Sequence, residues 1–258
     1  MESRPLLLIH GYGVRSYFWN ALLPHLAAHF HPIETPDLEL PDVESGVAMV
    51  TDACRALREQ SSHPVVLVGH SLGGILAALA ARDLAPDTVS HLVVIASPYG
   101  RRVGRAFGPM VRLRFALGLI SRDAVRRRFF GPDVPEEIQR AIFDSPADES
   151  AELKALGRRR RWFHTGAFPH GVPQRTLAIG SAADRIVHID ETREFAEELN
   201  ARMVTFPSRD RIGHDDFGVW DPVAQQTARE IVGFLTAQTA PVRGQGPHED
   251  RRSPRRNW

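Results

Sequence analysis

Pro64-Val65-Val66-Leu67-Val68-Gly69-His70-Ser71-Leu72-Gly73-Gly74-Ile75-Leu76-Ala77-Ala78-Leu79-Ala80-Ala81 is the stretch that decides how this chain folds. The β-branched apolar run at its start predicts a buried strand, and the Ala/Leu series after Gly74 predicts a helix. Between them lies Gly-x-Ser-x-Gly, a tight strand-to-helix turn. Such a turn strains the backbone of the serine and needs small residues two positions either side of it. It lifts the Ser71 hydroxyl clear of the carboxyl edge of the sheet. A serine held there is placed to be a nucleophile. Taken alone, the five residues also fit a glycine-rich βα turn whose serine caps the helix.

Two further stretches favour the nucleophile. Towards the amino terminus, Leu6-Leu7-Leu8-Ile9 predicts a short buried strand that ends in His10-Gly11-Tyr12-Gly13. Here the chain resembles the α/β-hydrolase superfamily, in which a strand followed by His-Gly lies beside the nucleophile strand. The resemblance covers residues 1 to about 100 and about 174 to 236. It implies an α/β-hydrolase fold: a mostly parallel sheet flanked by helices, with an inserted helical cap. Most members have two strands ahead of the His-Gly strand, and here only Met1 to Pro5 precede it, so a sheet of about six strands is expected. Carried over by position, the resemblance makes the backbone N–H groups of Tyr12 and Leu72 an oxyanion hole. It gives His10 the task of shaping its loop.

The second stretch supplies partners for the serine. Thr176-Leu177-Ala178-Ile179-Gly180 predicts a strand and is followed by Asp184. Met203-Val204-Thr205-Phe206 predicts another, followed by Gly213-His214-Asp215-Asp216. Serine, acid, histidine is the chain order of this superfamily's triad. Each candidate follows a predicted strand, so Ser71, Asp184 and His214 can meet at one edge of a parallel sheet. Among the 12 histidines, His188 follows Asp184 too closely to come from the next strand. His164 and His170 lie in the variable middle, and His63 and His91 belong to the opposite sheet edge. His29 and His31 have a metal-like spacing without a third ligand. Of the rival acids, Asp190 reads as a helix N-cap, and Asp215 and Asp216 follow the histidine too directly to face its far nitrogen.

Composition sets bounds on what the chain can be. With 43% hydrophobic and 24% charged residues among 258, and a net charge of +1, it reads as one soluble globular catalytic domain. The opening segment holds too few apolar residues for a signal peptide or a membrane span. The single cysteine, Cys54, excludes an internal disulfide and suits a cytoplasmic protein. No phosphate loop, zinc pattern or nucleic-acid motif is present, so neither a cofactor, a metal nor a nucleic-acid partner is expected. Nothing in the sequence specifies an oligomer.

Four segments are expected. Residues 1–100 form the first part of the core, 101–173 an inserted helical cap or lid, and 174–238 the second part of the core. Residues 239–258, rich in Pro, Gly and Arg, form a disordered tail. Between Arg101 and Phe130 there are nine arginines opposed only by Asp123. Apolar residues such as Phe107 are interleaved with them. Either this is a solvated face over an apolar roof, or it meets an anionic or lipid-like partner. On the second reading Tyr12, Phe107, Arg126, Arg127 and Arg128 contact substrate. The expected activity is hydrolysis of carboxylic esters. The alternatives are a thioesterase or acyltransferase with the same triad, and a non-catalytic binder on the same fold.

Overall fold

Each continuous apolar run forms a strand of one sheet. The structure is a computed structural model, and it describes residues 4–38, 42–100, 117, 121–145, 150–151 and 166–237. Among these residues are six strands: β1 (Arg4–Ile9), β2 (Phe30–Glu34), β3 (Val65–His70), β4 (Val89–Ile95), β5 (Arg175–Ser181) and β6 (Arg202–Phe206). They lie in the order β2-β1-β3-β4-β5-β6, and every neighbouring pair is parallel. The expected six-stranded α/β sheet is therefore present.

Alternation along the strands splits the core in two. Leu7, Ile9, Val65, Leu67, Leu92 and Val94 face one layer, while Leu6, Leu8, Val66, Val68, Val93 and Ile95 face the other. Both faces are covered, which is why the central strands read as unbroken apolar runs rather than as an alternating pattern. The first layer is built by α2 (Val43–Gln60), α3 (Leu72–Asp83) and α6 (Ile189–Glu198). Asp42 caps α2 by accepting from the Ser45 N–H at 2.7 Å, and Gly46, Val50, Cys54 and Leu57 form its buried stripe. The second layer holds α1 (Leu23–Leu26), the short α7 (Asp216–Val219) and α8 (Asp221–Thr236). The cap of α6 differs from expectation. His188, not Asp190, stands at its N-cap and accepts from the Asp190 N–H, because the helix begins two residues earlier than expected, at Ile189.

Between β4 and β5 the described chain contributes α4 (Arg122–Phe129) and α5 (Glu136–Phe143). Phe107, Arg158 to Arg161, His164 and the tail from 239 lie outside the described residues. Phe168 already packs in the core beside Tyr99 and Phe195, ahead of the expected return to the core at 174. Among the described residues no helix is long and apolar enough to cross a membrane.

This topology selects one location for a site. The chain leaves β1 for β2 on one side and then crosses to β3 on the other. The carboxyl ends of β1 and β3 therefore flank the switch point where open α/β sheets bind ligands. His10-Gly11 leaves the first of these ends and Ser71 leaves the second.

Candidate active site

Ser71 follows β3 with φ 52° and ψ −122°, a left-handed conformation unusual for a residue with a side chain. Its N–H donates to the Ile95 carbonyl of β4 at 2.9 Å, which fixes the turn to the sheet. The flanking glycines are required by contact. A Cβ on Gly69 would collide with the Gly73 carbonyl, and one on Gly73 with the His10 and Ile9 carbonyls. Strain at a single non-glycine residue, held by packing on both sides, marks a site where position matters more than comfort.

The three residues expected to meet do so. Ser71 Oγ lies 3.1 Å from His214 Nε2, and His214 Nδ1 lies 2.8 Å from Asp184 Oδ2. Asp184 comes from the loop after β5, and its other oxygen accepts from the N–H groups of Ile186 (2.7 Å) and Val187 (3.0 Å). Those two bonds hold the carboxylate so that one oxygen is left to face the imidazole. His214 comes from the loop after β6, and Ser181 Oγ–H ties the two loops together by donating to the Ile212 carbonyl at 2.8 Å. Burial pushes the His214 pKa down, but the charge and hydrogen bond of Asp184, with Asp215 and Glu191 behind it, outweigh burial and raise it above 6.5.

The histidine inside the motif is part of the site, a feature the sequence reading missed. His70 Nε2 lies 2.9 Å from the His214 carbonyl oxygen, and since a carbonyl only accepts, Nε2 carries the proton. Its ring stacks on Phe18 (4.4 Å) and sits 4.7 Å from the His214 ring. Burial and the neighbouring His214 hold its pKa well below 6.5, so it remains neutral. Among the described residues His70, His214 and Asp215 form the one trio of possible metal ligands, their atoms within 4.8 Å. A metal there would have to displace one of the His214 hydrogen bonds, since both of its ring nitrogens are engaged.

The loop after β1 closes the other side. His10 Nε2 accepts from the Leu38 N–H (3.0 Å), so its Nδ1 carries the proton and donates to the Gly11 carbonyl (2.9 Å). Burial lowers its pKa. Gly11 packs against Ser71, where a Cβ on the glycine would stand 3.0 Å from that of Ser71. Tyr12 follows, with a side chain 38% exposed. Leu72 opens α3, and the first N–H groups of a helix have no intrahelical acceptor.

The rival acids have other tasks. Asp216, fully buried, accepts backbone N–H groups of Gly131 and Gly213. Burial raises its carboxyl to about 6 against the pull of those two bonds. Asp215 is raised to about 7, first by burial, with His214 opposing and Asp216 and Asp184 adding to the rise.

The arginines divide. Arg126, expected to meet substrate, instead turns inward. It is 2% exposed and pairs with Glu136 (2.8 Å) and Asp123 (3.2 Å). A buried guanidinium needs carboxylate partners, and Glu136 lies just beyond the window in which only Asp123 opposed the charges. Arg128 donates to the Arg185 carbonyl at 3.3 Å, and Arg127 is exposed on α4.

Residues 6–252 match the model of the family described as the alpha/beta hydrolase family. The pimeloyl-[acyl-carrier protein] methyl ester esterase of Sodalis glossinidius (strain morsitans) is 31% identical over 204 residues, which span 78% of this chain and 73% of that protein. Two solved structures share the fold. An esterase from Exiguobacterium antarcticum superposes with a TM-score of 0.69 at 15% identity, covering 91% of this chain and 92% of the other. The meta-cleavage product hydrolase from Pseudomonas fluorescens IP01 gives 0.67 at 20% identity, covering 91% of each.

Proposed function

The chain belongs to the alpha/beta hydrolase family, and from that premise we propose that it hydrolyses carboxylic esters through an acyl-enzyme on Ser71. The hydrogen-bonded series Ser71–His214–Asp184 at the switch point of the sheet is the observation that carries this reading.

Ser71 Oγ attacks the ester carbonyl carbon while His214 Nε2 takes its proton, since a neutral serine is a weak nucleophile without a base. Asp184 holds the imidazole in the tautomer that leaves Nε2 free to accept, and it stabilises the imidazolium that forms. The carbonyl oxygen becomes an oxyanion, received by the N–H groups of Leu72 and Tyr12. Loss of one such donor costs about 3–4 kcal/mol of transition-state stabilisation. Collapse returns the proton from His214 to the departing alcohol. Water, deprotonated by the same nitrogen, then releases the acid and restores Ser71.

The similarity to an esterase whose named substrate is carried by a protein supports a substrate class. An ester of an acyl group borne on an acidic carrier fits the arginine-rich insertion, taken as a cap, with Arg127 as one of the exposed charges among its described residues. Arg126 is left out of that role. A reducing cytoplasmic setting agrees with the lone, buried Cys54.

Hydrolysis of p-nitrophenyl esters of increasing acyl length tests the proposal. Turnover with a preferred chain length is expected, and no turnover of any member would overturn it.

A further inference from the structure

His214 has two chain neighbours, Gly213 and Asp215, and both are held by one short segment of the insertion. The Asp215 N–H donates to the Phe129 carbonyl at 2.9 Å. Gly213 is held through Asp216, whose carboxylate accepts the Gly213 N–H at 2.6 Å and the Gly131 N–H at 3.0 and 3.1 Å. We infer that Asp216 is a positioning residue: it clasps the end of α4 to the loop carrying His214, and so sets where that imidazole stands against Ser71. This rests on the proposed roles of Ser71 and His214.

The contact is too close to be incidental. A Cβ on Gly131 would stand 2.5 Å from Asp216 Oδ2 and 2.5 Å from the Arg211 carbonyl. One on Gly213 would run into the backbone of Phe130 and Gly131. Two glycines meet where two backbones touch, and a carboxylate with no exposure accepts N–H groups from both sides. The same segment reaches the other half of the site. The Phe129 ring lies 6.2 Å from the His214 ring, and Arg128 donates to the carbonyl of Arg185, the residue after Asp184. The insertion therefore touches the loops of both the base and the acid. A segment that only covered the site would have no need of main-chain bonds to either side of the base.

Hydrogen bonds to a buried carboxylate are the strong kind, and an amide in its place cannot accept all of them. Misplacing a reacting group by about 1 Å costs on the order of 100-fold in rate. Asp216→Asn and Gly131→Ala break the clasp from opposite sides, the second leaving the carboxylate intact.

The test measures kcat and KM for a neutral p-nitrophenyl ester on the full chain, below the melting temperature of each variant, with Ser71→Ala in parallel. Each single variant is expected to lose on the order of 100-fold in kcat with KM moved less than about threefold. The double variant should be no slower than the worse single one by more than about threefold, because both break one contact. A folded Asp216→Asn or Gly131→Ala with kcat within about twofold of wild type would overturn the inference, as would a rise in KM alone. If Asp216→Asn does not fold, Gly131→Ala decides by the same criteria. Full hydrolysis by Ser71→Ala would instead sink the proposed function, and the inference with it.

Discussion

Nδ1 of His214 and Oδ2 of Asp184 stand 2.8 Å apart, both out of water, although 30 residues separate them in the chain. The pair joins two loops that leave adjacent parallel strands, β5 and β6, and it sets the charge that the imidazole can bear.

The pH dependence of kcat/KM reads that pair directly. His214 accepts a proton only when neutral, and its pKa is raised above 6.5. Activity should therefore fall as pH drops through a value above 6.5 in the free enzyme. Asp184→Asn removes the charge that raises it, so burial should move this limb to lower pH. The amide can also hold the imidazole in the wrong tautomer, and kcat should fall by about 10⁴-fold. A limb that stays in place in this variant would contradict the pairing.

Stability should carry the mark of Asp215. Its carboxyl rises from 3.8 to about 7 on folding, so the folded state holds a proton that the unfolded chain releases. The stability this contributes is fully present below the unfolded pKa and is lost as pH climbs through the folded one. Asp215→Asn should match wild type near about pH 4 and exceed it near about pH 8, by an amount on the order of 1–3 kcal/mol. Thermal melting at the two pH values checks this; equal differences at both would contradict it.

The two adjacent arginines of α4 should behave differently. Arg126→Gln removes a buried cation from between Asp123 and Glu136 and should lower the melting temperature, whereas exposed Arg127→Gln should change stability by less than about 0.5 kcal/mol. Melting curves of the single variants separate them. Equal effects would mean that Arg126 is not held as described.

Much of this was legible in the sequence because the central strands are buried on both faces and the turn after β3 needs its glycines. Ser71, Asp184 and His214 each follow a strand, so order alone brings them together. One edge strand, β2, was harder, whereas the other, β6, was expected from Met203 to Phe206. β2 leaves every residue but Phe30 at least partly solvated, so it lacks an apolar run. His70, Asp216 and Arg126 stayed hidden for a shared reason. Beyond the near contacts of Asp216 with Gly213 and of Arg126 with Asp123, their partners are a carbonyl 144 residues away, an N–H 85 residues away and a carboxylate 10 residues away, and no local pattern encodes those three contacts.

The central claim is that Ser71 is the nucleophile, and the kcat/KM of Ser71→Ala on a p-nitrophenyl ester tests it most directly. The account predicts a loss of several orders of magnitude, with the melting temperature near that of wild type, since among the described residues the hydroxyl's one partner is His214 Nε2. A folded Ser71→Ala that kept most of the wild-type rate would contradict it.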